Sequence, residues 1–149
     1  MIRELLANQV LHASLAAWLA AQILKVPIEY MLTRRLNWSL LLSAGGMPSS
    51  HSALVVSAAL SIGLNEGFNT GLFALAVVVA MIISYDASGV RRQAGLHAEK
   101  INLLINELLQ GHPISEGHLK EVLGHTHRQV LAGALLGILF ALLFWVIYP

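Results

Sequence analysis

A short polar run near the middle of the chain, Ser49-Ser50-His51, has the residue types that phosphate chemistry needs. It follows a Gly-Gly-Met-Pro turn and opens an apolar stretch that predicts a helix, with Pro48 in its first turn. Free amides at a helix start favour an anion, serine hydroxyls add donors, and His51 exchanges protons near neutral pH. The run therefore indicates phosphate handling; the simpler interpretation is a serine-capped loop with an incidental histidine.

Charged residues flank the other apolar runs. Lys25 ends the first run, at the predicted membrane boundary, where a lysine either extends to the interface or binds an anion. Arg34 is either an interface anchor or a bidentate phosphate ligand. Asp86 caps the following helix, forms a structural ion pair with Arg91 or Arg92, or takes part in catalysis.

The predicted topology places these groups on one face, together with His125 before the last apolar run. Two histidines, fixed cations and a helix N-terminus suggest phosphoryl transfer, in which one histidine attacks phosphorus and the other protonates the leaving oxygen. The cations would stabilise charge on the phosphoryl oxygens, and the scheme needs neither a metal nor another cofactor. Four histidines cluster late in the chain, but their spacing matches no strong ligand signature, so no metal site is predicted: His112, His118, His125 and His127.

The composition is that of an integral membrane protein. Hydrophobic residues make up 56% of the 149 residues and charged residues only 11%, against roughly 25% in soluble domains. There is no cysteine, so disulfides and thiolate chemistry are excluded, and the net charge of +1 does not indicate a nucleic-acid partner. The N-terminal apolar run lacks a convincing cleavage site, which favours a retained helix over a signal peptide.

The hydropathy pattern predicts one all-α domain over residues 1–149, a bundle of about four membrane helices with an amphipathic interfacial helix that ends near Leu109. The membrane helices are expected at Leu5–Leu24, Ser52–Leu64, Phe68–Ser84 and Val130–Ile147. Small residues recur every four positions in the first helix, which favours close packing. The Gly133/Gly137 pair in the last helix favours a homodimer or packing within one chain.

Charge predicts the orientation of the bundle. Eight of the nine Lys and Arg residues fall on one side, all except Arg3. The positive-inside rule makes that face cytoplasmic and puts both termini outside. Binding of phosphate by several of these residues would produce the same clustering, so the opposite orientation stays open.

Several segments together resemble a known family. They are Lys25-Val26-Pro27-Ile28, Arg34-Arg35-Leu36-Asn37-Trp38, Gly45-Gly46-Met47-Pro48-Ser49-Ser50-His51-Ser52-Ala53, the run from Asp86 to Gly95, and Leu123-Gly124-His125-Thr126. In this order they resemble the divergent branch of the type 2 phosphatidic acid phosphatases, also described as acid phosphatase/vanadium-dependent haloperoxidase-related proteins. The resemblance covers nearly the whole chain and implies a minimal phosphatidic acid phosphatase core.

The resemblance also implies roles for individual residues. Lys25 and Arg34 match the phosphate-binding pair at looser spacing, His51 matches the general acid, and His125 matches the nucleophile. Gln129 stands where the wider superfamily has an aspartate that orients the nucleophile.

Two further departures from the superfamily pattern concern phosphate binding. Leu119 stands where the pattern has an arginine, and Ser50 replaces a glycine. The missing arginine would be replaced by Arg91, Arg92 or Lys120, and the missing carboxylate by Asp86.

The leading hypothesis is a metal-independent phosphatase of the bacterial inner membrane that hydrolyses a lipid or isoprenoid phosphate or diphosphate through a phosphohistidine. Ser49, Ser50, Lys25, Arg34 and one or both of Arg91 and Arg92 would hold phosphate. One alternative is a non-catalytic module that binds anionic lipid headgroups or a partner, favoured by the uncharged Gln129. A second alternative is a small lipid transporter.

Overall fold

All regular secondary structure in the described part of the chain is helical, as predicted. The computed structural model describes residues 2–43, 45–108 and 125–148. The helices are α1 (Ile2–Leu6), α2 (Gln9–Thr33), α3 (Ser50–Glu66), α4 (Gly71–Ser88), α5 (Val90–Leu108) and α6 (His127–Ile147), with a short 3-10 helix (Trp38–Leu42) between α2 and α3.

Three helical runs are long and apolar enough to cross a membrane. They are α2, the run 71–102 that contains α4, and α6, with mean hydropathies of 1.3, 1.9 and 2.8. Helix α3 has 17 residues, at the short end of the roughly 17–25 that a crossing requires. The prediction of about four membrane helices is therefore supported for three and not confirmed for the fourth.

Helix α3 is the centre of the bundle and packs against α2, α4 and α6, while α2 also packs against α6. Gln9 Nε2 donates a hydrogen bond to the carbonyl of Tyr148 (2.6 Å), which joins the start of α2 to the end of α6. The starts of α3 and α6 therefore lie at the opposite end of the bundle. That is the end to which the sequence assigns the phosphate chemistry.

Small residues bring the helices of the bundle close together. Ala13, Ala17 and Ala21 form the predicted stripe on α2 and are fully buried. Ala17 and Ala21 pack against Ala53 of α3, and Leu136 of α6 covers this cluster. The stripe is a helix–helix contact inside the chain, as its spacing predicts.

The Gly133/Gly137 face of α6 lies directly against the backbone of α3. A Cβ atom added at Gly137 would lie 2.6 Å from the carbonyl oxygen of Ala53, and one at Gly133 would overlap the carbonyl of Ser49. The glycine pair is thus used within one chain. The glycine pair therefore no longer supports the homodimer prediction.

Helix α2 continues nine residues beyond the predicted end at Leu24 and includes Pro27. A proline inside a helix removes one amide donor, but neighbouring helices commonly compensate for this in membrane proteins. The predicted helix end at Leu24, shortly before Pro27, was therefore wrong. As a consequence Lys25 lies in the interior of a helix and not at its end.

Candidate functional site

The buried lysine of α2 is the first component of the site. Lys25 is fully buried, so the predicted extension to the membrane interface is wrong. Its Nζ donates to the carbonyl of Ser43 (2.7 Å) and to Ser50 Oγ (3.5 Å). Gly46, at φ +88°, lies over the side chain; a Cβ there would meet Lys25 Cδ at 3.5 Å. The ammonium group therefore fastens the turn before α3 to α2 and points its charge at the start of α3.

The Ser-Ser-His run forms the N-terminus of α3, but Pro48 lies just before the helix and not in its first turn as predicted. Ser49, not Pro48, adjoins the helix: it is the N-cap, and its Oγ accepts hydrogen bonds from the Ser52 amide (3.4 Å) and hydroxyl (3.0 Å). Ser49, Ser50 and Ser52 are buried, and His51 is half-buried as the second residue of the helix. Three serine hydroxyls and a histidine thus gather within one turn, next to the lysine.

The start of α6 supplies the second histidine. His125 is only 4% exposed, and its Nδ1 lies 3.3 Å from Gln129 Oε1. The same oxygen accepts a hydrogen bond from the Thr126 amide (2.8 Å), while Thr126 Oγ1 caps the Gln129 amide (3.4 Å). This reciprocal arrangement is a capping box, which fixes the first turn of the helix.

Backbone hydrogen bonds join the starts of α3 and α6 to each other and the start of α6 to α4. The Ser49 amide donates to the carbonyl of Gln129 (3.0 Å), and the His125 amide donates to the carbonyl of Ala87 (2.8 Å). Asp86 precedes Ala87 within α4, so it does not cap the following helix as one prediction had it. Its half-buried position places a carboxylate on the turn that holds His125.

A path made of hydrogen bonds and of the peptide link between Ser50 and Ser49 therefore crosses four elements at one end of the bundle. It runs from Lys25 through Ser50 to the N-cap Ser49, then to Gln129 and His125, and ends at α4. Burial makes each of these polar contacts stronger than it would be in water, and it also makes an unpaired member costly. The path brings together five of the predicted site positions: Lys25, Ser49, Ser50, His125 and, through Ala87, Asp86.

Arg34 is the predicted ligand that the structure does not bring to this path. It follows Lys25 by nine residues, two and a half turns, so it projects from the opposite side of the helix about 13 Å further along. It is the exposed C-cap of α2, in the left-handed conformation (φ 58°). Its chain neighbours Thr33 and Arg35 line a polar surface pocket together with Glu29 and Asn37.

Other predicted residues fall on parts of the chain that the structure does not describe. Arg91 and Arg92 begin α5, but their side chains are outside the description. The whole of residues 109–124 is outside it as well, and with it His112, His118, Leu119 and Lys120. In the described remainder no group of three or more His, Cys, Asp or Glu side chains is placed to hold a metal ion.

Gln22 also shapes the site and was not predicted from the sequence. Gln22 Nε2 donates to the carbonyls of Leu41 (2.8 Å) and Ser43 (3.2 Å), so it holds the same loop as the lysine one turn later. The signal was available: Gln22 is a polar residue three positions before Lys25, on the face that continues the buried alanine stripe. A polar residue on an otherwise small-residue face indicates a buried hydrogen bond.

An apolar cavity of about 580 Å³ lies between α3, α4 and α6. Its walls include Val56, Leu60, Phe73, Val77 and Ile138, and its polar end is Ser84. The carbonyl of Ser84 accepts a hydrogen bond from Ser88 Oγ (3.0 Å), which lies next to the Ala87 carbonyl that holds His125. The cavity therefore extends from the membrane-spanning part of the bundle towards the histidine site.

Comparison with known proteins agrees with this architecture. The divergent PAP2 family matches residues 6–140, which include every described component of the path. The uncharacterized membrane protein YuiD of Bacillus subtilis (strain 168) is 44% identical over 150 residues, covering 93% of this chain and 95% of its own. No solved structure matches the chain. With both the family match and the relative spanning nearly its full length, the chain belongs to the divergent PAP2 family of membrane proteins.

Proposed function

We propose that the protein is a membrane phosphatase that hydrolyses a lipid or isoprenoid phosphate or diphosphate through a phosphohistidine. The observation that supports this most is the buried path from Lys25 to His125. It puts a fixed cation, serine hydroxyls and two histidine-bearing helix starts at one end of an apolar bundle. Family membership supports the same reaction class.

The proposed reaction has two steps. A ring nitrogen of His125 attacks the terminal phosphorus and forms an N–P bond, while the P–O bond to the leaving group breaks and His51 gives its proton to the leaving oxygen. The leaving group is the lipid alcohol for a monophosphate and the lipid monophosphate for a diphosphate. Water then attacks the phosphohistidine and gives its proton to His51. Inorganic phosphate leaves, and both histidines return to their starting states.

Lys25 and the serines at the start of α3 are proposed to bind the phosphoryl oxygens. Two of the three N–H groups of Lys25 have protein partners among the described residues, so the third is available to an anion. The dipole of α3 adds favourable potential at Ser49 and Ser50. Arg91 and Arg92 are proposed to supply the remaining positive charge, and Asp86 to balance His125.

The hydrocarbon part of the substrate is proposed to lie in the cavity between α3, α4 and α6. A volume of about 580 Å³ is within the roughly 300–1,000 Å³ typical of small-molecule sites, and its walls are almost wholly apolar. The cavity starts one turn from the α4 carbonyl that holds His125, so a chain inside it would deliver its phosphate to the histidine. We place the basic face at the cytoplasmic side of the inner membrane.

A second candidate function is binding of anionic lipid headgroups without turnover. The observation that favours it is Gln129, because an uncharged amide beside His125 does not stabilise a cationic phosphohistidine as a carboxylate does. Binding of a lipid phosphate by the purified protein, with no phosphate release, would identify this function.

Phosphate release in detergent tests the proposal directly. The panel contains phosphatidate, phosphatidylglycerol phosphate, and prenyl monophosphate and diphosphate, with no added metal. We expect release from at least one lipid by the wild type, and its loss in His51→Ala and in His125→Ala. His127→Ala is the matched control, because His127 is exposed at the start of the same helix and is expected to keep activity. Equal activity in His125→Ala and His127→Ala would refute the mechanism.

A further inference from the structure

A polar pocket at the end of α2 is separate from the path that joins the starts of α3 and α6. Its volume is about 680 Å³. Its walls are Glu29 and Thr33 of α2 and Arg35, Leu36 and Asn37 of the loop that follows. Arg34, the left-handed C-cap of α2, turns the chain into this loop, which leads to the 3-10 helix packed against α2. The pocket thus lies between the last turns of a membrane helix and the loop that returns along it.

Hydrogen bonds hold the walls of this pocket in place. Thr33 Oγ1 donates to the carbonyl of Glu29 (2.9 Å) and accepts from the amide of Arg35 (3.3 Å), so it fastens the loop to the helix. Asn37 Oδ1 accepts hydrogen bonds from the amide (3.1 Å) and the hydroxyl (2.6 Å) of Ser39. Because a backbone amide can only donate, the oxygen of Asn37 must face Ser39, and its NH₂ group is left as a donor for another partner.

The pocket contains one charge of each sign. Within the part of the chain that the structure describes, the Glu29 carboxylate and the Arg35 guanidinium form no ion pair, either with each other or with another side chain. The negative end of the α2 dipole adds to the Glu29 carboxylate and favours a cation there. Arg35 and the NH₂ group of Asn37 are donors and favour an anion. The pocket is therefore complementary to a ligand that has both charges and is neutral overall.

The surroundings of the pocket indicate that it lies at the level of lipid headgroups. Helix α2 is long and apolar enough to cross a membrane, and the pocket is at its end. Large apolar side chains near the pocket are exposed, namely Met31, Leu32, Leu36, Trp38 and Leu42. Tryptophan is enriched where the hydrocarbon region meets water. A ligand in this pocket would therefore have its charged groups among polar walls and hydrocarbon close by.

We propose that this pocket binds the headgroup of a zwitterionic phospholipid of the ethanolamine type. The phosphate accepts hydrogen bonds from Arg35 and Asn37, and the ammonium group donates to the Glu29 carboxylate. A primary ammonium suits a carboxylate because it has N–H donors, whereas quaternary ammonium groups are recognised by aromatic rings, and no described wall of the pocket is aromatic. The proposal uses none of the residues assigned to phosphate release, so it goes beyond the proposed phosphatase function and does not depend on it.

The pocket and the buried lysine hold opposite ends of one loop. The loop begins beside the pocket at Arg35 and ends at Ser43, whose carbonyl accepts the hydrogen bond from Lys25. A headgroup bound to Arg35 therefore stabilises the same segment that Lys25 holds. We expect added phosphatidylethanolamine to raise the thermal midpoint of the protein in detergent.

Native mass spectrometry of the full-length protein in detergent measures the proposed binding. The probes are phosphatidylethanolamine, phosphatidylcholine and phosphatidylglycerol with identical acyl chains. We expect the wild type to bind phosphatidylethanolamine about tenfold more tightly than either of the other two, the effect of one charge-assisted hydrogen bond. Equal binding of the three lipids, or a preference for one of the other two, would overturn the proposal.

Paired variants locate the headgroup in the pocket. Glu29→Gln removes the carboxylate and is expected to lower the affinity for phosphatidylethanolamine about tenfold, to the level of phosphatidylcholine. Arg35→Gln removes the guanidinium and is expected to weaken binding of both lipids about tenfold, because both contain the phosphate. Glu66→Gln and Arg34→Gln are the matched controls, since they change the same residue types at exposed positions outside the pocket walls. Losses in the controls as large as those in the pocket variants would contradict the assignment.

Soluble glycerophosphoethanolamine distinguishes a lipid from a soluble ligand with the same charged groups. We expect it to bind at least about tenfold more weakly than phosphatidylethanolamine, because it has no hydrocarbon to contact the exposed apolar side chains around the pocket. Equal binding of the two would show that the pocket takes a soluble zwitterion and would overturn the assignment to a lipid.

Discussion

Replacing the glycines of α6 by alanine tests the contact that assembles the site. Gly133 and Gly137 lie against the backbone of α3, where a side chain has no flexible neighbour to displace. At Gly137 the added Cβ would lie 2.6 Å from the carbonyl oxygen of Ala53, about 0.8 Å short of an ordinary contact at 3.4 Å. At Gly133 the overlap with the Ser49 carbonyl is larger, so α6 must move further from α3.

Moving α6 away from α3 is expected to lower the rate of phosphate release. Ser49 is the N-cap of α3 and Gln129 lies one turn before Gly133, so Gly133→Ala separates the two histidine-bearing helix starts. A misplacement of about 1 Å commonly costs about a hundredfold in rate, and we expect that loss or more for Gly133→Ala. Gly137→Ala is further from the site and is expected to lose less. Each also costs stability, by about 1–3 kcal/mol, because overpacking outweighs the better helix propensity of alanine.

Phosphate release, the thermal midpoint in detergent and the mass of the protein in solution measure these effects together. Gly71→Ala is the control: no atom lies within 4 Å of its added Cβ, so activity and midpoint should stay at the wild-type values. The oligomeric mass should not change in any variant, since the glycine face packs inside the chain. Wild-type activity and stability in Gly133→Ala, or a change of oligomeric mass, would show that the reasoning is wrong.

Two further predictions concern charge and the substrate chain. Lys25→Met should lower kcat/KM by about a hundredfold or more, because it removes a buried cationic donor from the proposed phosphate site. Arg34→Ala should change kcat/KM less than about twofold, because Arg34 is exposed and distant from that site. Steady-state kinetics compare the two, and equal losses would contradict the placement of phosphate beside α3. Val77→Trp fills the apolar cavity and should raise KM for long-chain substrates but not for a short-chain analogue. Val78→Trp lies on the exposed side of α4 and should leave KM for both kinds of substrate unchanged. An equal effect of the two tryptophans would place the chain elsewhere.

Much of the architecture follows from local sequence rules. Apolar periodicity identifies α3, α4 and α6 to within a few residues, because runs of apolar residues bounded by polar turns leave few alternatives. The stripe of alanines in α2 predicts its buried face for the same reason. The amphipathic pattern that ends near Leu109 corresponds to α5.

The errors arise where tertiary contacts override local signals. Pro27 indicates a helix end, but α2 continues because a surrounding bundle tolerates a proline that an isolated helix does not. That error placed Lys25 at the end of a helix, whereas it is buried inside α2, and the length of α2 separates it from Arg34. The glycines at 133 and 137 favour close packing but do not specify the partner, which is α3 of the same chain.

The site itself is only partly readable from the sequence. The residue types at His51 and His125 predict phosphoryl transfer, and the structure adds the hydrogen bond that joins the helix starts carrying them. The hydrogen bond from the Ser49 amide to the carbonyl of Gln129 joins backbone groups, which leave no trace in residue identity. The spacing of Gln129 from His125 suggests a contact across one turn, but only the capping box determines which atom of the amide faces the ring.

If His125 is the nucleophile, it becomes covalently phosphorylated during turnover, and this intermediate can be trapped. The protein is mixed with a lipid phosphate labelled in its phosphoryl group, denatured under alkaline conditions that preserve phosphohistidine, and mapped by mass spectrometry of its peptides. We expect a label on His125 that is absent in His125→Ala and unchanged in His127→Ala. Turnover of the lipid without any label on His125, or with the label on another residue, would contradict it.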